Sequence, residues 1–151
     1  MIAGSAIVEV GEFVGEGAQI GKDVNIWHWT HVCKGAKIGD RVSIGQGCYI
    51  GPDVVIGEGT RIQNNAFIPE GVTIGKEVFV GPSVVFTNDL HPRIGEEWEV
   101  MPTVICNNAS IGANATILCG LVIGERAMIG AGAIICRNVG EGETIVGIYS
   151  G

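Results

Sequence analysis

Aromatic side chains make up only 6% of the 151 residues, and lysine and arginine together number 9. The formal charge of −7 and a pI near 4.8 argue against a polyanion such as nucleic acid as the main partner. They leave room for a small anionic ligand, which needs only a local cluster of donors. No apolar run approaches the roughly 18 residues that a membrane span requires. The 5 cysteines are odd in number and lack zinc-site spacing. The opening residues carry no signal-peptide pattern, so the expectation is a soluble, cytoplasmic protein with reduced thiols. Length alone favours one domain.

What the chain does have is 46% hydrophobic residues, mostly Ile, Val and Ala, and 25 glycines outside any G-X-Y period. Every sixth residue from Ile2 through Val8, Val14 and Ile20 to Val80 is aliphatic, and the series ends on Phe86. The period returns one residue out of phase from Ile105 to Ile135. Glycine often follows the aliphatic (Gly15, Gly21, Gly39, Gly45), and four residues after it comes a small or β-branched residue (Ala18, Val24, Thr30, Ala36). A helix needs a period near 3.6 and a free strand a period of 2; a six-residue period suits a short strand plus a corner. Glycine is expected to permit the turn, and the small residue to fit where walls converge. Three sides close a coil of about 18 residues, giving about seven triangular coils stacked roughly 4.8 Å apart in a parallel β-solenoid.

Two segments leave the pattern. An excursion over 87–104 holds Asn88, Asp89, His91, Arg93 and Trp98, and an insertion of that length in a regular solenoid is usually functional or disordered. The tail, 139–151, departs at Gly140-Glu141-Gly142. The expected division is therefore a β-helix over 1–138, loop included, and a closing segment over 139–151. Residues about 18 apart should stack, which lines up His28, Gln46, Asn64 and Pro82 at one corner, flanked by Trp27, Trp29 and Asn65. After the loop the equivalent positions are Ala113 and Ala131. The ladder reads either as a binding edge or as solvated corner residues; the two tryptophans read first as packing side chains.

Repeats such as Ile38-Gly39-Asp40-Arg41-Val42-Ser43 resemble those of the hexapeptide-repeat acyltransferases, over essentially the whole chain. The period leaves handedness open; the resemblance implies the left-handed β-helix. Trp27 to Cys33, Thr60 to Asn65, and Gly81 to Asn88 followed by Pro92-Arg93 resemble more narrowly the N-acetyltransferases of nucleotide-linked 3-amino sugars. Arg61 stands where relatives often carry lysine, which keeps the charge. The resemblance implies acetyl-CoA as co-substrate, no metal, and a homotrimer with active sites between subunits. It implies that Asn88 orients the acceptor amine through its side-chain oxygen. His91, the only imidazole in the loop, is the general-base candidate, with a plain surface histidine as the alternative. His28, Gln46, Asn64 and Asn65 would bind nucleotide or sugar, and Arg93 a sugar carboxylate or phosphate. The small residues Gly112, Ala113, Gly130 and Ala131 would line a thin pantetheine groove, with Arg137 meeting CoA phosphates.

Three other readings stay open at this point. One is an O-acetyltransferase on a sugar or small alcohol, which would depend more strictly on a base. Another is a non-catalytic β-helical binding or assembly module. The third is a γ-type carbonic anhydrase, but His28 and His31 are close in sequence and no histidine follows His91.

Overall fold

The computed structural model describes residues 1–8 and 13–150, with the side chain of Val8 and residue Gly151 outside the description. The chain is a left-handed β-helix, all β, built of parallel strands mostly two residues long. Each strand ends on the aliphatic of the repeat, except Val85–Phe86 and Ile148–Tyr149, which end on an aromatic residue. The first wall holds Gln19–Ile20, Lys37–Ile38, Val55–Ile56, Val72–Ile74, Thr103–Ile105 and Val122–Ile123. The second runs from Ile7–Val8 through Asn25–Ile26, Ser43–Ile44 and Arg61–Ile62 to Thr144–Ile145. The third runs from Phe13–Val14 through His31–Val32, Tyr49–Ile50 and Phe67–Ile68 to Ile148–Tyr149. In-register pairs such as Arg61↔Ser43 and Ile62↔Ile44 place residues 18 apart directly over one another.

The second and third walls each contain 8 strands, so the stack has about eight turns rather than about seven. The extra level comes from the tail. Thr144–Ile145 pairs with Met128–Ile129, and Ile148–Tyr149 pairs with Ile134–Ile135, although the hexad spacing has gone. Stacking is carried by main-chain hydrogen bonds, which need no side-chain period, and the exposed edge of a coil offers a full row of them. A clasp holds this last level. The Tyr149 hydroxyl donates to Glu143 at 3.0 Å, and the Arg137 guanidinium lies 3.9 Å from the Tyr149 ring centre.

The prism interior is a column of aliphatics with no exposure, among them Ile26, Ile44, Ile50, Ile111 and Ile135. The small positions fill the corners from inside, and where threonine replaces alanine or valine its hydroxyl is put to use. The Thr30 hydroxyl donates to the Gly45 carbonyl at 2.7 Å and accepts from the Cys48 N–H at 3.3 Å; Thr60 repeats the arrangement with Gly75 and Val78. A buried hydroxyl without such partners would be costly.

The repeat's glycine does not serve as the turn residue. The left-handed backbone sits two residues later, at Trp29, Arg41, Asp53, Asn65 and Asn114 among others, with φ near +55° to +61°. The glycine is required by the next coil instead: a Cβ on Gly51 would stand 2.4 Å from the Glu70 nitrogen, and one on Gly45 2.6 Å from the Asn64 nitrogen.

The insertion joins the third wall to the first. It occupies 87–102, because Thr103 and Val104 already belong to the strand Thr103–Ile105, which pairs with Val72–Ile74. Thr103 is drawn in because its side chain is fully buried and its hydroxyl accepts from the Gly120 N–H at 3.1 Å. Trp27 and Trp29, 49% and 69% exposed, do not pack into the prism, since both stand on a corner whose interior is already filled.

Candidate active site

Two edges of the third wall differ in chemistry. The edge shared with the second wall carries the stacked corner His28, Gln46, Asn64, Pro82, Ala113 and Ala131. Each level is tied to the next through the main chain: the Gly47 N–H donates to the His28 carbonyl, Asn65 to Gln46, Ser83 to Asn64 and Gly132 to Ala113, at 2.8–3.0 Å. The Asn64 Oδ1 also accepts from the Gln46 N–H at 3.1 Å, so the Asn64 amide is part of the staple between coils as well as a surface group. Gln46 and Asn64 share a small hollow of about 230 Å³ with Trp27 and Gln63. Asn65 takes the left-handed corner position, and His28 lies beside Trp29 with ring centres 5.6 Å apart. Gly112, Ala113, Gly130 and Ala131 continue the same edge above the ladder, where a Cβ on Gly112 would come within 2.5 Å of the Ala131 nitrogen.

The other edge, shared with the first wall, carries the loop. Its root is fixed: the Thr87 N–H donates to the Ile117 carbonyl at 3.0 Å, the Thr87 hydroxyl accepts from Cys119, and the Met101 N–H donates to the Asn88 carbonyl at 2.8 Å. The Asn88 Nδ2 donates to the Glu70 carbonyl at 3.2 Å. A carbonyl can only accept, so this contact fixes which way the amide is turned and leaves the Asn88 Oδ1 as the acceptor atom.

Asn88 lines a hollow of about 440 Å³. The floor is the outward face of the third wall: Tyr49, Phe67 and Val85. Pro52, Pro69 and Glu70 form the near corner, while Asp89, Pro92 and Trp98 close it from the loop. Tyr49 and Phe67 stack with ring centres 5.1 Å apart, and the row continues through His31 to Phe13 at 5.6 and 4.6 Å. A hydrogen bond to the Cys33 thiol, with desolvation, pushes the Tyr49 phenol up to about 12. Tyr49, Phe67 and Glu70 are absent from the residues singled out by sequence, and Trp98 is named there only as part of the excursion. The signal was present: the residue before the aliphatic, read every 18, gives Phe13, His31, Tyr49 and Phe67.

The remaining candidates are dispersed. His91 opens into a different hollow, with Leu90, Glu96, Glu97 and Glu99; its N–H donates to the Asp89 carboxylate at 2.8 Å. Arg93 lines a third hollow with Pro92, Ile94 and Trp98, and Pro92 and Trp98 line the Asn88 hollow as well. Arg137 is on the loop's edge, packed on Tyr149, one corner away from Gly112, Ala113, Gly130 and Ala131. Among the described residues, no group of three or more His, Cys, Asp or Glu side chains is placed to hold a metal ion. Among the described residues no helix is long and apolar enough to cross a membrane, and the five cysteines are unpaired.

The description "bacterial transferase hexapeptide (six repeats)" matches residues 17–52, 53–88 and 102–137, more than two thirds of the chain. A related model, the hexapeptide repeat of succinyl-transferase, matches 35–70. The chain belongs to the hexapeptide-repeat transferase family. Over 37 residues it is 49% identical to a dTDP-3-amino-3,6-dideoxy-α-D-galactopyranose 3-N-acetyltransferase from Aneurinibacillus thermoaerophilus, which is 24% of this chain and 19% of that one. Its fold resembles a UDP-N-acetylglucosamine O-acyltransferase from Moraxella catarrhalis, with a TM-score of 0.67 and 20% identity, covering 95% of this chain and 62% of that one. It also resembles a maltose O-acetyltransferase from Clostridium difficile, with a TM-score of 0.65 and 22% identity, covering 75% and 65%. The chain thus spans under two thirds of the length of each of these proteins.

Proposed function

We propose that the chain is an acetyl-CoA-dependent N-acetyltransferase acting on a nucleotide-linked amino sugar in the cytoplasm. The observation that carries this reading is Asn88, which lines an aromatic-floored hollow and whose amide is held by the Glu70 carbonyl through Nδ2, leaving Oδ1 as the acceptor. The family membership and the short, closely similar stretch of an amino-sugar N-acetyltransferase support it.

In the reaction, the amine nitrogen bonds the thioester carbonyl carbon, the carbon–sulfur bond breaks, and the amine proton ends on the departing thiolate. Asn88 Oδ1 accepts a hydrogen bond from the amine and aims its lone pair, which is a positioning contribution. With His91 opening into another hollow, the arrangement supports proton transfer to the thiolate without an imidazole. Arg93, beyond Trp98, is proposed to meet a phosphate of the nucleotide. Arg137 is proposed to reach CoA phosphate from the loop's edge.

The loop edge and the ladder edge flank the same wall but face different ways. A cyclic homotrimer would set the loop of one subunit against the ladder of the next, so that His28, Gln46, Asn64 and Asn65 face the nucleotide sugar across the cleft. Gly112, Ala113, Gly130 and Ala131 would admit pantetheine against the backbone there. Ile94 and Trp98, 107% and 61% exposed at the loop tip, are the apolar surface such a neighbour would cover.

Thiol release from acetyl-CoA, assayed across UDP- and dTDP-linked amino sugars, tests the activity; no release with any of them overturns it. His91→Ala is expected to keep kcat/KM within about threefold at each pH from 6 to 9. A loss of a hundredfold there would favour transfer to a hydroxyl through a histidine base. Light scattering should give three times the mass of the chain, and a monomer that turns over would refute the shared cleft.

A further inference from the structure

Where the loop leaves the coil, a hydrogen bond that recurs along the scaffold has a different donor. At a regular corner, the carbonyl just before the left-handed residue accepts the N–H of the left-handed residue one coil up. Asn65 donates to Gln46 in this way, Glu77 to Glu58 and Ser83 to Asn64. At Glu70 the donor is a side chain, the Asn88 Nδ2 at 3.2 Å. The next residue, Gly71, holds the other limb of the loop. Its carbonyl accepts from the Thr103 N–H at 3.0 Å, and Thr103 pairs with Val72. The two limbs are also tied to each other, by the Met101 N–H on the Asn88 carbonyl at 2.8 Å.

The corner by itself does not demand glycine at this position. Asp53, one coil below on the same corner, takes a left-handed φ of 55° with its side chain attached. Gly71 is opened further, to a φ of 93°. A Cβ on it would stand 2.6 Å from the Val100 Cγ1 of the returning limb, with the Met101 carbonyl oxygen at 3.6 Å and the Pro102 Cα at 3.7 Å. The space that a side chain would need is filled by the loop.

We infer that Gly71 is a positioning residue for acetyl transfer, acting through the Glu70 carbonyl on the Asn88 amide. The inference rests on the N-acetyltransferase reading above and adds the part of the scaffold that aims its amine-orienting group. The peptide between Glu70 and Gly71 is planar, so the direction of the Glu70 carbonyl follows the φ of Gly71. Val72 is fixed in the wall by its pairing with Thr103, so a change at Gly71 is taken up on the exposed Glu70 side. A side chain at 71 would either push Val100 and the returning limb outward or turn the Glu70 carbonyl. The first moves Asn88 through Met101, the second through its own amide. Misplacing an orienting group by about 1 Å can lower a rate by about a hundredfold.

The test reads thiol release, thermal unfolding and the Asn88 side-chain amide signal in nitrogen–proton correlation spectra, assigned by its loss in Asn88→Asp. Gly71→Ala is expected to lower kcat about tenfold or more, with KM for acetyl-CoA within about threefold, and to shift the Asn88 amide signal. Adding Val100→Ala to Gly71→Ala removes the Cγ1 and should recover most of kcat and the wild-type signal. Gly17→Ala isolates backbone strain: it lies on the same corner with a φ of 72° and no atom within 4 Å of the added carbon. It should lower the thermal midpoint with kcat within about twofold and the amide signal unmoved. Val100→Phe crowds the same contact from the loop side while the coil keeps its glycine, and is expected to give both losses even if Gly71→Ala does not fold. Retention of kcat and signal in Gly71→Ala, or in Val100→Phe where the first does not fold, overturns the inference. So does a loss in Gly71→Ala that Val100→Ala leaves unrecovered. With no thiol release from any amino sugar the acetyl-transfer reading falls by itself. The amide signal then still decides the placement: a shift in Gly71→Ala but not in Gly17→Ala supports it, and an unmoved signal overturns it.

Discussion

The coils below the loop and the coils above it share one interior and differ outside. Inside, Ile44 and Ile62 below are matched by Ile111 and Ile129 above, all buried. Outside, the ladder corner changes from His28, Gln46 and Asn64 to Ala113 and Ala131, and the third wall changes from Phe13, His31, Tyr49 and Phe67 to Thr116 and Ile134. The loop leaves at the boundary, with Asn88 rooted on Glu70 of the coil below and Thr87 on Cys119 of the coil above. The scaffold is therefore neutral to what its outer face carries. Polar and aromatic side chains collect on the outside of the lower coils, and small residues on that of the upper ones.

That contrast can be broken by substitution. The largest effect is expected at the boundary: Asn88→Ala should lower kcat about a hundredfold or more in thiol release while leaving the unfolding midpoint within a degree or two. Its stacked counterpart one coil up, Cys119, replaced by alanine, should change kcat less than twofold; equal losses at both positions would show that Asn88 acts only through the fold. Next come the glycines. Gly51→Ala is expected to destabilise by about 1–3 kcal/mol in urea unfolding, because the new methyl meets main-chain atoms of the coil above that cannot yield. Gly132→Ala, with φ of +69° and no atom within 4 Å of the added carbon, should cost about 1 kcal/mol through backbone strain alone. A milder loss at Gly51 than at Gly132 would refute the clearance argument.

On the ladder, Asn64→Ala should raise KM for the nucleotide sugar about fivefold to tenfold with kcat within twofold, whereas Ala113→Asn, one level beyond Pro82, should raise KM for acetyl-CoA and leave KM for the nucleotide sugar unchanged. The smallest effect belongs to the closing clasp. The Gly140 N–H, then the Tyr149 hydroxyl, hold the Glu143 carboxyl below its ordinary range, so its contribution is present above that range and lost as acid protonates it. Glu143→Gln should therefore lower the thermal midpoint slightly at pH 7, and the difference from wild type should shrink as the pH falls through the lowered pKa of Glu143.

Much of this arrangement was legible in order. The every-sixth aliphatics name the buried column because only the aliphatic and the small residue four after it face the narrow interior, and the step of 18 identifies stacked corners. The tail was less legible: nothing in Gly140-Glu141-Gly142 announces two more strand pairings, since main-chain pairing leaves no mark on side-chain identity. Glycine's role was misread for a related reason. Its position in the repeat is visible, but the backbone nitrogen that excludes a Cβ belongs to the next coil. Among the site residues, Asn88 follows from resemblance, whereas Glu70 reads as one exposed acid among many, and only the stacked coils set its carbonyl against the Asn88 amide.

The amino-acid order by itself determined the solenoid, because a strict six-residue alternation of aliphatic and corner residues can bury its apolar side only by stacking coil on coil. It also determined where the pattern fails, and so where a loop must leave. Only the tertiary structure decided which outward side chains that loop covers, which amide atom of Asn88 is left to accept, and which of the three loop candidates share its hollow. Those are questions of distance across coils, and distance between residues many positions apart is set by the stacked backbone and by nothing local in the chain.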